Sequence, residues 1–199
     1  MAGLTRAELL GRTAKGGAAL AVGGGILGAV STPASAAIGT DDIPLVTQAV
    51  AIELVGGVFY TEAISTGGMN ANDTRYFTRA LANETDHYKA VAKFLTDAKQ
   101  TPGTASDFNF TFPTGAFETT RSIAKLGVQL ESIFLGSYLG AVAELTDAYT
   151  RGVFARIAAS QAQHLSLLSG IAQNKPIGMS FPVPLSLDAV SVALDPFIS

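Results

Sequence analysis

The chain has 199 residues, of which 48% are hydrophobic and 15% are charged, so one domain with a sizeable core is expected. It contains no cysteine, which excludes disulfides, thiolate metal sites and cysteine nucleophiles. The formal net charge is −3 and no basic stripe is present, so nothing in the sequence supports nucleic-acid binding.

Residues 1–36 have the organisation of an export signal peptide. A basic region with Arg6, Arg12 and Lys15 precedes an uncharged stretch over residues 16–30, and Ala-Ser-Ala at 34–36 forms a small-residue cleavage site. We therefore place the start of the mature chain at residue 37. Removing the signal takes Lys+Arg from 13 to 10 and Asp+Glu from 16 to 15, which leaves a net charge of −5.

The segment resembles a twin-arginine signal, but Arg12 follows Gly11, so the arginine pair is missing. The twin-arginine route and the general secretory route both stay open. An uncleaved membrane anchor is the alternative to cleavage. The apolar run is short and rich in glycine, whereas a membrane span needs ~20 predominantly apolar residues. We expect an exported protein of the periplasm, cell envelope or extracellular space, with no stable membrane span in the mature chain.

Four helices are predicted in the mature chain. The first covers residues 45–64, is apolar nearly all round, and follows possible caps at Thr40-Asp41-Asp42. The second begins at a cap on Asn72 or Asp73 and runs to about residue 98. The third begins near residue 117 or 119 and ends near 146. The fourth follows a cap at Asp147 and ends near residue 173.

The connections between these helices are short, long and short, which predicts two antiparallel hairpins joined by one crossover. The crossover, residues 100–116, contains Phe108, Phe110 and Phe112 in alternation with polar residues, so an extended segment packed on the bundle is expected. The tail, residues 176–199, is apolar and is predicted to pack on the bundle. The predicted fold is an all-α four-helix bundle at 37–175 with a C-terminal extension.

The two predicted hairpins carry the same spaced set of metal-ligand residue types. The set is Glu53, Glu84 and His87 in the first half, and Glu131, Gln161 and His164 in the second. The intervals from the first to the second member are 31 and 30 residues, and the histidine follows three positions later each time. A dinuclear metal site in a bundle core is built from two such sets, each with one carboxylate on a helix and Glu-x-x-His on the next helix. Gln161 stands where the pattern asks for glutamate.

Each member of this set has an ordinary explanation when taken alone. Glu84 and His87 fit an exposed polar pair, Glu53 and Glu131 fit surface carboxylates, and His164 fits a hydrogen-bonded core histidine. The joint spacing favours an inherited bundle site, because the only two histidines of the chain fall at the repeated position. Oxygen and imidazole ligands without thiolate suit iron or manganese better than zinc.

Further positions follow the same repeat, which is typical of two related helix pairs. Tyr60 and Tyr138 each lie seven residues after the first glutamate of their half. They are candidates for hydrogen-bond donors to the site, redox-active phenols or plain core residues. Phenylalanine, arginine and alanine also recur at matched offsets, at Phe77, Arg79 and Ala82, and at Phe154, Arg156 and Ala159.

At these positions the sequence resembles the ferritin-like superfamily, specifically exported ferritin-like domain proteins related to desiccation-associated proteins, over about residues 41–173. The resemblance implies that Glu84 bridges two metal ions, that Glu53 and Glu131 are terminal or bridging ligands, and that His87 and His164 each cap one ion. Neutral Gln161 offers only a carbonyl oxygen. A bound hydroxide or oxide could offset the missing charge, or a single ion binds.

The expected function is that of an exported protein with a dinuclear, or degenerate mononuclear, iron or manganese site. Its chemistry would be oxidation of Fe(II) or removal of peroxide or oxygen. The alternative is a non-catalytic structural or stress-protective bundle protein that has lost the metal site, an alternative motivated by Gln161. Metal ions are the expected partners, and the sequence leaves a homo-oligomer open.

Overall fold

The computed structural model describes residues 38–173 and 175–199, so the predicted signal at 1–36 lies outside the described residues. The helices are listed here in chain order. They are α1 (Ile43–Ser65), α2 (Ala71–Asp97), α3 (Thr120–Glu144), α4 (Ala148–Gln173) and α5 (Leu187–Leu194), with a single 3-10 turn at Ala105–Asp107. The described part of the chain contains no β-strand beyond one isolated bridge. The predicted all-α class with four long helices and one long crossover is confirmed.

The bundle consists of two tight helical hairpins. α1 packs along α2, and α3 packs along α4, while α1–α3 and α2–α4 contacts join the hairpins to each other. α1 and α3 are long and apolar enough to cross a membrane by length and composition alone, but 61% of the most apolar window of each is buried. A helix that is apolar on most of its faces is expected to be buried in this way.

Two of the predicted helix caps are wrong in position. α2 is capped by Asn70, whose side chain accepts hydrogen bonds from the backbone N–H groups of Asn72 and Asp73. Asn70 has the extended backbone that a cap requires, so the helix begins earlier than we predicted. Asp42 precedes α1 but makes no side-chain cap there. Its buried carboxylate accepts instead from the backbone N–H groups of Thr146 (2.8 Å) and Asp147 (3.0 Å).

The predicted cap at Asp147 agrees with the structure, and residue 119, one of the two predicted starts of the third helix, is the cap of α3. Thr119 caps α3 by accepting from the N–H of Ser122 at 3.0 Å, and Asp147 accepts from the N–H of Thr150 at 2.7 Å at the start of α4. Because Asp147 also donates its own N–H to Asp42, one short turn joins the start of α1 to the α3–α4 connection. This fixes the two hairpins relative to each other at one end of the bundle.

The crossover and the C-terminus are joined to each other. Phe110 pairs with Ile198 in an isolated antiparallel bridge, and Asn109 and Ser199 exchange backbone hydrogen bonds of 2.8 and 3.0 Å. Phe112 packs against Phe59 of α1, as expected for an extended segment on the bundle. The last residues of the chain therefore cover the crossover and hold it against the core.

The tail divides into two parts, and only the second packs as we expected. Val190 and Leu194 of α5 are buried, as are Phe197 and Ile198. Between α4 and α5, four large apolar side chains are 61–90% exposed to solvent; they are Ile177, Met179, Phe181 and Val183. The prolines in this stretch remove hydrogen-bond donors and disfavour helix.

The tail crosses α3 at two glycines. The N–H of Leu185 donates to the carbonyl of Gly136 at 2.8 Å. A Cβ at Gly140 would overlap the backbone carbonyl of Leu185, and a Cβ at Gly136 would come within 2.8 Å of the Leu185 side chain. Only a residue without a side chain allows this backbone-to-backbone approach.

We expect Gly140→Ala to destabilise the protein by about 1–3 kcal/mol, because the added methyl group overpacks against rigid backbone. Gly152→Ala is the matched control, since a Cβ there meets nothing within 4 Å, and it should stabilise α4 by up to ~1 kcal/mol. Urea denaturation measures both effects, and limited proteolysis near residue 185 reports release of the tail. Equal effects of the two substitutions would contradict the close crossing.

Candidate metal centre

The six predicted site residues lie together in the bundle core. Glu53 comes from α1, Glu84 and His87 from α2, Glu131 from α3, and Gln161 and His164 from α4. All are buried except His87, whose side chain is 13% exposed. Residues three apart on a helix share a face, so both members of each x-x-His pair point inward.

Glu53, Glu84 and His87 form the first group. Nδ1 of His87 lies 3.3 Å from Oε2 of Glu53 and 3.9 Å from Oε2 of Glu84. One atom from each residue lies within 4.8 Å of the others, a cluster compact enough to surround one metal ion. Gly56, one turn beyond Glu53, makes room for the Glu84 carboxylate, because a Cβ there would lie 3.0 Å from Oε2.

Glu84, Glu131 and His164 form the second group. Nδ1 of His164 lies 2.9 Å from Oε1 of Glu84 and 3.3 Å from Oε1 of Glu131. One atom from each of these three residues again lies within 4.8 Å of the others. Glu84 therefore belongs to both groups and offers a different oxygen to each histidine, which is the arrangement required of a bridging carboxylate.

Gln161 lies at the centre of the site but does not replace the missing glutamate. Its Nε2 donates to Oε2 of Glu84 at 3.2 Å, and its buried Oε1 has no hydrogen-bond partner. The amide thus holds the shared carboxylate in place and leaves one neutral oxygen free. The second group has the same ligand types as the first, namely two carboxylates and one imidazole.

Two tyrosines tie the hairpins together through the site. Tyr60 of α1 donates to Oε1 of Glu131 at 2.6 Å, and Tyr138 of α3 donates to Oε1 of Glu53. Each phenol therefore binds the glutamate of the opposite hairpin. Of the interpretations left open by the sequence, the structure shows both tyrosines as core residues that donate hydrogen bonds to the site.

Several buried polar atoms of the site have no hydrogen-bond partner. They are Oε2 of Glu53, Oε1 of Glu84, Oε2 of Glu131, Oε1 of Gln161, and Nδ1 of His87 and His164. Four of these atoms are paired by charge alone, since Nδ1 of His87 lies 3.3 Å from Oε2 of Glu53 and Nδ1 of His164 lies 2.9 Å from Oε1 of Glu84. Six buried ligand atoms without hydrogen bonds in one pocket fit a site built for metal ions.

The electrostatics of the carboxylates are unequal. Burial raises the pKa of Glu53 well above its usual value, and the adjacent Glu84 reinforces the shift. Burial also raises the pKa of Glu131 to about 7, against the opposing effect of His164. Burial works against ionisation of Glu84 as well, but interactions with both imidazoles outweigh it and lower its pKa. Glu84 is thus the permanent anion at the centre.

The two imidazoles hold protons tightly. Burial disfavours the charged form of His87, but Glu53 and Glu84 outweigh it and raise its pKa to about 9. Burial has the same effect on His164, where Glu131 and Glu84 prevail and raise the pKa to about 10. Burial next to carboxylates also raises the pKa of Tyr60 and Tyr138, so both phenols stay neutral donors.

Asn83 is a site residue that sequence reasoning missed. Its amide nitrogen lies 3.0 Å from Nε2 of His164, and it contacts Oγ of Ser160 at 3.5 Å. A metal ion on Nδ1 of His164 requires the proton on Nε2, so Nε2 would then donate to the side-chain oxygen of Asn83. The available signal was the repeat itself, since Asn83 and Ser160 immediately precede the equivalent Glu84 and Gln161.

We expect metal binding to release protons and to strengthen as pH rises. At pH 7 both imidazoles are protonated in the metal-free protein, because their pKa values are about 9 and about 10, and ligation must displace those protons. For each proton that must be displaced, the apparent binding constant increases ~10-fold for every unit by which pH rises toward the pKa of that group. Anaerobic calorimetry with Mn(II) between pH 6.5 and 8.5, in buffers of different ionisation enthalpy, measures this. Binding that is independent of pH would contradict it.

The same shifts predict that the cluster makes the metal-free protein less stable as pH rises. The raised pKa values of the histidines stabilise the folded protein below pH 6.5, and this stability is lost as pH passes 9 to 10. The raised pKa values of Glu53 and Glu131 likewise stabilise the folded protein at low pH, and this contribution is lost progressively as pH rises above about 4.5.

Comparison with known proteins gives one finding beyond the geometry. The model of a family described as the ferritin-like domain matches residues 41–174, which includes all four long helices and all six residues of the site. No curated protein matches the chain. The match covers two thirds of the sequence, and the helical bundle and the paired carboxylate–histidine groups agree with it. The chain therefore belongs to the ferritin-like domain family.

Proposed function

We propose that this protein is an exported metal-binding redox protein whose centre holds iron or manganese. The observation that supports the proposal best is the set of six buried ligand atoms that make no hydrogen bond and are enclosed by the four helices. Export rests on the sequence of residues 1–36 and the relation to desiccation-associated proteins rests on the resemblance, so both belong to the proposal.

The ligands proposed for one ion are Glu53, Glu84 and His87, and those for a second are Glu84, Glu131 and His164. When bound, iron or manganese would supply the one-electron redox chemistry needed to oxidise Fe(II) or to remove peroxide or oxygen. The residues of the chain hold ligand geometry, exclude water and keep the carboxylates oriented through Tyr60 and Tyr138.

The charge of the site favours unequal occupancy. Three carboxylates face two histidines, and Gln161 adds no charge. Oε2 of Glu84, the oxygen nearer His87, accepts a hydrogen bond from Gln161, which weakens it as a ligand of the first ion, whereas Oε1 toward His164 is unaffected. We therefore expect one ion to bind more tightly than the other.

Glu84→Ala should remove both ions, since Glu84 is shared by the two groups, whereas Glu131→Ala should remove only the ion bound by the second group. Glu144→Ala is the control, because this carboxylate is exposed at the end of α3. Metal analysis of protein purified from its own host after growth with ample iron and manganese gives the stoichiometry. A wild-type protein without metal would overturn the proposal.

Gln161→Glu should increase the occupancy of the second ion and raise its affinity by ~10-fold or more, because it replaces a neutral oxygen with a charged bridging ligand. Competition with a metal chelator measures the change. Gln163→Glu on the exposed face of α4 is the matched control and should change nothing. If Gln161→Glu lowers affinity, the remaining ligands are not aligned for a second ion.

The alternative is a structural or stress-protective protein that keeps the bundle without redox chemistry. Two observations favour it, namely the neutral Gln161 and the four exposed apolar side chains between α4 and α5. A metal-free wild-type protein that protects a model enzyme during drying would support this alternative. Full metal occupancy with turnover of peroxide or Fe(II) would exclude it.

A further inference from the structure

A cavity of about 330 Å³ lies between α1 and α2 and reaches the candidate metal centre. Its outer wall contains the exposed residues Thr61, Glu62 and Thr85, and its inner end contains the buried carboxylates of Glu53 and Glu84. The cavity thus leads from the protein surface to two of the proposed ligands.

The cavity opens mainly onto the first ligand group. Among the described residues that line it are two members of that group, Glu53 and Glu84, whereas the shared Glu84 is the one member of the second group in the wall. Neither histidine lines the cavity. A molecule in the cavity therefore reaches the first group through two carboxylates and the second through one.

The middle of the cavity is apolar. Leu54 and Val58 of α1 face Leu81 and the ring of Tyr88 on α2. The Tyr88 hydroxyl donates to the carbonyl of Gly103 at 3.0 Å, so this ring holds the crossover in place where Ala105 forms part of the wall. These contacts make the wall a fixed part of the bundle and the crossover.

Size and charge restrict what the cavity can hold. Its volume is at the lower end of the ~300–1,000 Å³ typical of small-molecule sites, and apolar walls with a few polar groups at one end are typical of such sites. Carboxylates stand at both ends, Glu62 at the mouth and Glu53 with Glu84 inside, so an anionic ligand would be repelled. An inorganic ion alone would leave the apolar middle unoccupied.

We propose that this cavity binds a small, largely apolar organic molecule without negative charge and presents one end of it to Glu53 and Glu84. Contact between that molecule and a bound metal ion rests on the function proposed above. Binding in the cavity itself does not, because the walls are made by α1, α2 and the crossover without any metal.

Gly57 gives a direct way to fill the cavity. It lines the wall, and a Cβ there would meet nothing within 4 Å. Gly57→Leu should therefore occupy the space without strain in α1. Gly152→Leu is the matched control, because a Cβ at Gly152 is equally free and that residue is not part of the wall.

The probe is 4-fluorophenol, followed by fluorine NMR on the full protein without metal. We expect saturable binding to wild type, weakened by about tenfold or more in Gly57→Leu and unchanged in Gly152→Leu. Circular dichroism shows whether each variant is folded. Should Gly57→Leu not fold, Leu81→Phe narrows the cavity from the opposite helix and should weaken binding in the same way.

Loading the protein with Mn(II) then tests the position of the probe. The bound fluorine should relax faster in Mn(II)-loaded wild type than in metal-free protein, and Glu84→Ala, which removes the ion, should abolish the increase. Absence of saturable binding, or equal binding to wild type and the filled variant, overturns the cavity proposal. Failure to bind Mn(II) while the probe still binds overturns the proposed function instead, so the two failures are distinguishable.

Discussion

The fold is organised around the burial of three carboxylates in an apolar core. Each buried carboxylate would be costly without partners, and here every one receives a hydrogen bond on one oxygen. The donors are Tyr138 to Glu53, Tyr60 to Glu131 and Gln161 to Glu84. All three carboxylates also lie 2.9–3.9 Å from Nδ1 of a histidine, and Glu84 lies near both. When no metal is bound, protons on the imidazoles supply the positive charge that the carboxylates require.

The hydrogen bonds to the carboxylates also explain why the two hairpins form one body. The tyrosine of each hairpin reaches the glutamate of the other, so the site cannot form from one hairpin alone. Two features break the pseudo-symmetry of the repeat. Gln161 is neutral where Glu84 is charged, and the cavity between α1 and α2 is lined by two carboxylates of the first group but by the shared Glu84 alone of the second. Two positions that the sequence treats as equivalent are thereby made chemically different.

The elements on the outside of the bundle were less predictable. The sequence led us to Asn72 or Asp73 as the cap of α2 and to Asp42 as a cap of α1. The structure uses Asn70 for the first and sends Asp42 to the α3–α4 turn, 104 residues away in sequence. A cap pattern records only that a polar side chain stands near a helix start. Which backbone N–H it meets depends on the segment that packs beside it.

The sequence by itself determined the helices, their pairing and the six residues that meet in the bundle core, because helical periodicity and a repeated residue spacing are local properties of the chain. Tertiary structure alone decided what those residues contact. It showed that Glu84 belongs to both groups, that Asn83 contacts His164, that the tyrosines cross between hairpins and that the cavity opens mainly onto one group. These contacts join residues that are far apart in the sequence, so they depend on how the four helices pack together and cannot be read from a local pattern.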